Sequence, residues 1–461
     1  MNKASRICVI GAGPSGIAAA KNCLLSGLDV VVFEKGDKVG GNWVFNDRTG
    51  HSSVYENTHT ISSRIWSEYE DFPMPEEYPD YPRHDQMQAY FESYARHFGV
   101  YEHIRFGHRV EAATPEDDGR WRIVFSDARG ETRTEIFDAL MVANGHHNEP
   151  KYPEYPGDYS GRLLHSHDFK RVDDSWRGQR VLVIGAGNSG CDIAVEAARV
   201  ARKVCLSMRS PQWFVPKFMM GAPSDTLLAR FSWVPPKIRQ RAMQLVLRLW
   251  QGPYARYGLP ENVLPPLSHH PTVNSDVLDF IRHGRIHPRK AIAKWSGLDV
   301  TFVDGRVEAF DIVCACTGYW TTFPFFDTAL IDFKHADKVP LYRKMMHADY
   351  ANLYFIGLFQ PIGSIWPLAD YQARLACEEI IGHYKRPSDM QAAIDHETRH
   401  PHYQFSGGQR HAAEVDYHAF RDELRRELLT ASVDIGDAPR GIKARYKTTP
   451  VPFRAAPAGA G

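Results

Sequence analysis

The sequence predicts an α/β chain of two doubly wound lobes, the second interrupted by a helical insertion. Two observations carry that prediction. An apolar strand run feeds a glycine-rich turn twice, at 7–10 into Gly11-x-Gly13-x-x-Gly16 and at 181–184 into Gly185-x-Gly187-x-x-Gly190. A proline-rich stretch over about 211–275 then breaks the βα alternation. At 461 residues the chain exceeds one ordinary core, so two or three lobes are expected.

The totals narrow the function classes. Lys plus Arg equals Asp plus Glu at 55 each, which argues against a nucleic-acid protein, since those usually carry a basic excess. No apolar run reaches the roughly 18 residues of a membrane span. The start, Met1 to Arg6, leads straight into a strand without a secretory apolar core, so a cytoplasmic protein is expected. The seven cysteines include one close pair, Cys314-Ala315-Cys316, with no zinc spacing around it. Buried reduced thiols and no metal site are the expectation.

In the first lobe, 17–25 reads as the helix behind the first cradle. Glycines at such a turn permit tight bending and close backbone approach, and the helix N-terminus favours negative charge. The next strand, 30–33, ends at Glu34, roughly 20 residues beyond the cradle, where a carboxylate accepts from ribose hydroxyls. Gly40-Gly41-Asn42-Trp43 is a turn whose indole either walls a cofactor ring or joins the core. Residues 51–84 hold Pro73, Pro75, Pro79 and Pro82 and read as a long covering loop. Helical periodicity returns over 85–98. Strands are expected at 105–111, 121–125, 134–137 and 139–143.

In the second lobe, a helix is expected over 191–200 and a strand over 204–208 that ends at Arg209. A guanidinium where the 2'-hydroxyl acceptor usually sits pairs instead with a 2'-phosphate, so this site should prefer NADP. Within the insertion, 238–250 is amphipathic, with Ala242, Leu245, Val246, Leu249 and Trp250 apolar; packing on its own domain is favoured over a channel wall or membrane-surface patch. Strands follow near 309–316 and 352–358, then a long helix from about 362. Residues 385–426 read as charged helix and loop, and the tail from Ala438 as an irregular arm.

The two cradles, Gly40-Gly41-Asn42-Trp43, Asp71-Phe72-Pro73-Met74-Pro75, Cys316-Thr317-Gly318-Tyr319 and Asp370-Tyr371-Gln372-Ala373-Arg374 fall, in order and over nearly the whole chain, where the flavin-containing monooxygenases have them. The most specific piece is F-x-G-x-x-x-H-x-x-x-(Y/F), here Tyr159-x-Gly161-x-x-x-His165-x-x-x-Phe169, with Tyr in place of the first Phe. The chain thus resembles that family, also called class B flavoprotein monooxygenases. Lys170, with no Trp at 169, points to the flavin-containing branch and away from type I Baeyer–Villiger enzymes.

The resemblance implies two Rossmann-like domains: FAD-binding over 1–169 and 319–437, NADP-binding over 170–318, and an arm over 438–461. It implies FAD on Gly11, Gly13, Pro14, Ser15, Gly16, Glu34, Asn42, Trp43 and Gln372. NADPH falls to Gly185, Gly187, Asn188, Ser189, Gly190 and Arg209. NADPH would reduce the flavin, molecular oxygen would add at C4a to give a hydroperoxide, and a small amine or thioether would take the distal oxygen. Such a site must exclude bulk water, and the protein's share is orientation and hydrogen bonding. His165 is expected as a structural or gating hinge, since it follows no strand end facing a pocket. The sequence leaves room for a homodimer.

One departure bears on the chemistry. The family places an asparagine near the flavin, before a short S-K pair that precedes D-F-P. Counting back from Asp71 without a gap puts Ile61 there, followed by Ser62, Ser63 and Arg64. Either Asn57 or Ser62 then takes the amide's role, or the oxygen adduct is held poorly and hydrogen peroxide is released. Rival reactions are Baeyer–Villiger oxygenation of ketones and NADPH oxidase activity. A disulfide reductase would need a redox Cys pair where Gly40-Gly41-Asn42-Trp43 stands.

Overall fold

The computed structural model describes residues 5–231, 233–266, 271–334, 336, 339–402 and 413–431. The chain divides into two compact units, one of 1–52, 58–146 and 321–461, the other of 53–57 and 147–320. The expected arm over 438–461 lies outside the described residues.

The first unit is built on a five-stranded parallel sheet. Its spatial order is Leu353–Phe355, Ala139–Val142, Arg6–Ile10, Asp29–Glu34, Ile104–Phe106. Alternate side chains enter opposite cores, as the twofold period of a strand requires. Ile7 and Val9 join a core with helices Pro14–Leu25, His84–His97 and Trp366–Ile380. Cys8 and Ile10 join another with Trp121, Phe125 and Phe137 of an antiparallel meander. Each fully buried aliphatic here contributes roughly 1.5–3 kcal/mol relative to exposure. The strand expected over 105–111 is two strands: Ile104–Phe106 ends the parallel sheet, and Arg109–Pro115 opens the meander. Gly107, at φ +69, turns the chain between them.

The second unit has the same plan. Its parallel sheet runs Ile286–Arg289, Lys203–Ser207, Arg180–Ile184, Ile312–Ala315, Arg162–His165. The domain boundary expected at 169/170 therefore differs from the observed one at 146/147. The cause is the edge strand Arg162–His165, whose register on Ile312–Ala315 carries 147–169 into this unit. Residues 53–57 follow for a local reason. Glu56 N donates to Lys170 O (2.8 Å), Lys170 Nζ donates to Val54 O (3.3 Å), and the Tyr55 ring lies 5.6 Å from that of Phe169.

The insertion contains helices Ser224–Ala229 and Pro236–Gln251 and a strand pair, Phe214–Val215 with Thr272–Val273. Packing of the second helix through Leu245, Val246, Leu249 and Trp250 does not occur. Those four are exposed, and the helix buries Met243 and Leu247 instead. Its apolar residues occupy more than one face, and the domain takes only one. All seven cysteines are free, six of them buried. Among the described residues no helix is long and apolar enough to cross a membrane.

Candidate functional site

The two glycine cradles share backbone angles at corresponding glycines, each for the same steric reasons. Gly11 and Gly185 follow their strands at φ +102 and +101, where a side chain is strained. A Cβ on Gly11 would sit 2.7 Å from Ala143 O, and one on Gly185 would sit 2.4 Å from Cys316 O. The third glycines pack onto the first, since a Cβ on Gly16 or Gly190 would collide with the carbonyl oxygen of Gly11 or Gly185. Gly13 and Gly187 are the extended N-cap residues of helices Pro14–Leu25 and Asn188–Val200. Neither helix has a side-chain cap or an acid in its first turn. Amides at both N-termini therefore remain for an anion such as a diphosphate. These sites fit nucleotides.

The first cradle is closed in by its neighbours. A Cβ on Gly41 would come 2.9 Å from Gly13 Cα, so the Gly40-Gly41 turn abuts it, and a Cβ on Gly357 would meet Ser15 Oγ at 2.2 Å. Glu34 accepts from Ala12 N (2.7 Å) and Gly36 N (2.6 Å), which fixes its carboxylate beside the turn. Burial raises its pKa, and those two amides oppose the rise. Glu34, Gly41, Asp47 and His51 line a shallow pocket there. Asn42 O accepts from Ser52 Oγ (2.7 Å). Trp43 is half-buried and meets Trp366 edge-on at 5.8 Å, which makes it part of the core boundary. Gln372 is fully buried, and both ends of its amide are engaged: Oε1 accepts from Gly357 N and Nε2 donates to Arg343 O, both at 2.9 Å.

The second cradle is tied to the insertion. Asn188 Oδ1 accepts from Val273 N (2.7 Å), and Thr272 Oγ1 donates to Ala186 O (2.9 Å). Asp192, on the same helix, accepts from Tyr55 OH (2.5 Å) and Asn274 Nδ2 (2.7 Å). These partners carry no pattern readable in sequence, because they come from segments 82 to 137 residues away. Ser189 is exposed. Arg209 is exposed just beyond strand Lys203–Ser207 and has no carboxylate partner among the described residues. Its charge lowers the cost of ionising Tyr155, whose pKa is nevertheless raised by burial.

Tyr159, Gly161, His165 and Phe169 all lie in the second unit. The phenol of Tyr159 folds over Gly161, where a Cβ would be 2.3 Å from the hydroxyl oxygen. That hydroxyl donates to Phe310 O (3.0 Å), so the extra oxygen of Tyr is satisfied. Phe169 is buried against Trp176 at 5.6 Å. His165 is the last residue of a strand, contrary to expectation. Its buried ring lies between Tyr152 (5.4 Å) and Tyr319 (5.3 Å), and Nδ1 accepts from His167 N (3.0 Å). Burial pushes its pKa down to about 4.

Asn57 and Ser62 fall in different units. Asn57 is exposed in a turn of the second unit. Ser62 is buried in the first, in a hydroxyl triad with Ser67 (3.0 Å) and Ser364 (2.7 Å). A buried charge cluster, Lys21 with Asp71, Asp370 and Arg374, went unanticipated although three of its members lie in motifs quoted above.

Residues 4–435 match the model of the flavin-binding monooxygenase-like family. The mouse flavin-containing monooxygenase 5 is 32% identical over 442 residues, covering 91% of this chain and 82% of that protein. The human flavin-containing monooxygenase 2 is 32% identical over 448 residues, covering 92% and 83%. Among solved structures, S-allyl-L-cysteine S-oxygenase from Allium sativum superposes with a TM-score of 0.68 at 21% identity, covering 97% of this chain and 95% of that one. A cyclohexanone monooxygenase gives 0.68 at 17% identity, covering 92% and 97%. With two nucleotide cradles and this match along nearly its whole length, the chain belongs to the flavin-binding monooxygenase family and is an FAD- and NADPH-dependent oxidoreductase.

Proposed function

We propose that the first cradle holds FAD, the second holds NADPH, and the enzyme oxygenates sulfur or nitrogen of small thioethers and amines. The observation that carries the assignment of the two sites is the contrast between their second strands. One ends at the carboxylate of Glu34, held by Ala12 N and Gly36 N; the other leads to the exposed guanidinium of Arg209. Glu34 accepts from ribose hydroxyls, and Arg209 pairs with the 2'-phosphate that distinguishes NADPH. Amides at the N-termini of helices Pro14–Leu25 and Asn188–Val200 receive the two diphosphates. When bound, the flavin activates oxygen and the nicotinamide supplies the electrons.

On this reading the FAD-binding domain comprises 1–52, 58–146 and the chain from 321, and the NADP-binding domain comprises 53–57 and 147–320. A homodimer in the cytoplasm completes the proposal; seven unpaired thiols support a reducing compartment. Light scattering on the purified protein tests the dimer.

A second reading has its own support. Asn57 is exposed and in a different unit from Ser62, whose hydroxyl is already engaged by two serines. With Ile61 at the ungapped position, release of hydrogen peroxide competes with oxygen transfer. The test is to follow NADPH consumption, sulfoxide and peroxide together with a simple thioether. One sulfoxide per NADPH supports the oxygenase. Peroxide matching NADPH, unchanged by thioether or amine, overturns it in favour of an oxidase. Lactone from a cyclic ketone, with thioethers untouched, favours Baeyer–Villiger chemistry.

A further inference from the structure

In the first unit, Tyr342 to Met345 form a turn, closed where Met345 N donates to Tyr342 O (3.0 Å). Its two central residues, Arg343 and Lys344, have φ of +50 and +55. Asn-Gly adopts left-handed backbone at two consecutive positions without strain, and long side chains avoid it. Such a conformation persists only where the surroundings over-determine it.

Three glutamates do so here. Glu397, on helix Met390–Arg399, accepts from the backbone N of Arg343 (3.1 Å) with one oxygen and from its Nη1 (2.8 Å) with the other. Glu423 and Glu427 lie one turn apart on helix Tyr417–Thr430. Glu423 accepts from Nη1 (3.0 Å), and Glu427 from Nε (3.0 Å) and Nη2 (2.8 Å). The hydroxyls of Tyr342 and Tyr384 also donate to Glu427. All four charged side chains are largely buried. A planar guanidinium engaged by three carboxylates fixes the direction of its residue as well as its charge.

The backbone so fixed faces the first cradle through one side chain. Arg343 O accepts from Nε2 of the fully buried Gln372, and Gln372 Oε1 accepts from Gly357 N, both at 2.9 Å. An amide turned end for end would set its oxygen against a carbonyl and its NH2 against an N–H, so Arg343 O decides which way Gln372 stands. Gly357, at φ +83, lies against the cradle, since a Cβ there would collide with Ser15 Oγ. We infer that Arg343 is a positioning residue for the flavin. Its glutamate clamp holds the turn left-handed, the turn aims a carbonyl at Gln372, and Gln372 holds Gly357 beside Ser15 at the N-terminus of helix Pro14–Leu25. The inference rests on the assignment of FAD to the first cradle proposed above.

The test follows release of FAD from the purified holoenzyme, by the rise in flavin fluorescence after dilution, together with melting temperature. Arg343→Met is expected to release FAD about tenfold faster than wild type, the worth of one well-placed hydrogen bond. Arg343→Asn with Lys344→Gly makes the same turn unaided, so it should restore release to near the wild-type rate. Melting temperature should fall in both, because three glutamates lose their cation in each. In a Gln372→Leu background, Arg343→Met should change release little, since the two act in series. Should Arg343→Met fail to fold, Glu397→Ala replaces it, with Arg343 still paired to Glu423 and Glu427, and the same acceleration is expected. A lower melting temperature with unchanged FAD release overturns the inference and leaves the clamp a stabiliser of the lobe. Equal acceleration with and without Gln372, or an Asn-Gly turn that releases FAD as fast as Arg343→Met, overturns it as well. Wild type that purifies without FAD overturns the reading of the first cradle, and this inference with it.

Discussion

Lys21 Nζ lies 2.6 Å from Oδ1 of Asp370, with both side chains buried, and the same ammonium lies 2.6 Å from Oδ2 of Asp71. Arg374 adds a second cation at 2.5 Å from Asp370 Oδ2, and Asn22 donates to Asp370 Oδ1. Two carboxylates thus balance two cations in the core of the first unit. The cluster joins the helix behind the first cradle, the Asp71-Phe72-Pro73 loop and helix Trp366–Ile380. Three of its members, Asp71, Asp370 and Arg374, come from motifs far apart in sequence that meet here around Lys21.

Removing one charge should be far worse than the modest worth of the intact cluster. In Lys21→Met the two carboxylates lose the ammonium they share and stay buried beside Arg374. The expected loss is about 3–5 kcal/mol, the usual cost of leaving a buried charge unpaired. Chemical unfolding of the FAD-loaded protein followed by fluorescence checks it. A midpoint unchanged from wild type would mean that water reaches the cluster and solvates it.

That cluster also marks where sequence reasoning stops. The cradles were legible because strand, turn and helix are contiguous and each glycine has its own steric cause, as Gly11 against Ala143 and Gly185 against Cys316 show. Glu34 was legible from its place at a strand end. Lys21 was not, since a lysine inside an apolar helix gives no sign of partners 50 residues away and beyond. Nor was the allegiance of 147–169, which depends on the edge strand Arg162–His165 pairing with Ile312–Ala315. Helix Pro236–Gln251 was recognised as amphipathic, but periodicity alone did not tell which apolar face the domain would take. The Asp192–Asn274 and Asp192–Tyr55 bonds are nonlocal for the same reason.

Equivalent glycine substitutions should separate the two nucleotide sites. Gly11→Ala puts a Cβ 2.7 Å from Ala143 O at φ +102, and Gly185→Ala puts one 2.4 Å from Cys316 O at φ +101. Each must shift its own cradle. The first variant is expected to purify without flavin absorbance. The second should keep its yellow colour while losing reduction by NADPH, with dithionite still reducing the flavin. Loss of flavin from Gly185→Ala alone would reverse the assignment.

Arg209→Ala is expected to weaken NADPH by roughly 1.5–3 kcal/mol, the range for hydrogen bonds to charged groups. NADH lacks the 2'-phosphate, so its affinity should hardly move. Titrations of both nucleotides against the FAD-loaded protein separate this from general damage to the cradle. Equal weakening of the two would assign Arg209 a structural role, and no weakening of NADPH would remove it from the site.

His165 should make stability fall in mild acid. Its buried ring has a pKa near 4 in the folded protein, principally because burial penalises the imidazolium. An unfolded chain restores a value near 6.5. Between those values the unfolded state binds more protons, so stability rises with pH through that window. The contribution is complete above about 6.5 and is lost progressively as pH falls toward 4. In His165→Gln the proton-linked part disappears, while the polar side chain remains between Tyr152 and Tyr319. The drop in melting temperature from pH 7 to pH 5 should therefore be smaller in the variant than in wild type, whatever their difference at pH 7. Parallel curves would show that the ring is already solvated and free to charge in the folded protein. That outcome would favour a mobile, gating His165 over the packed strand end seen here.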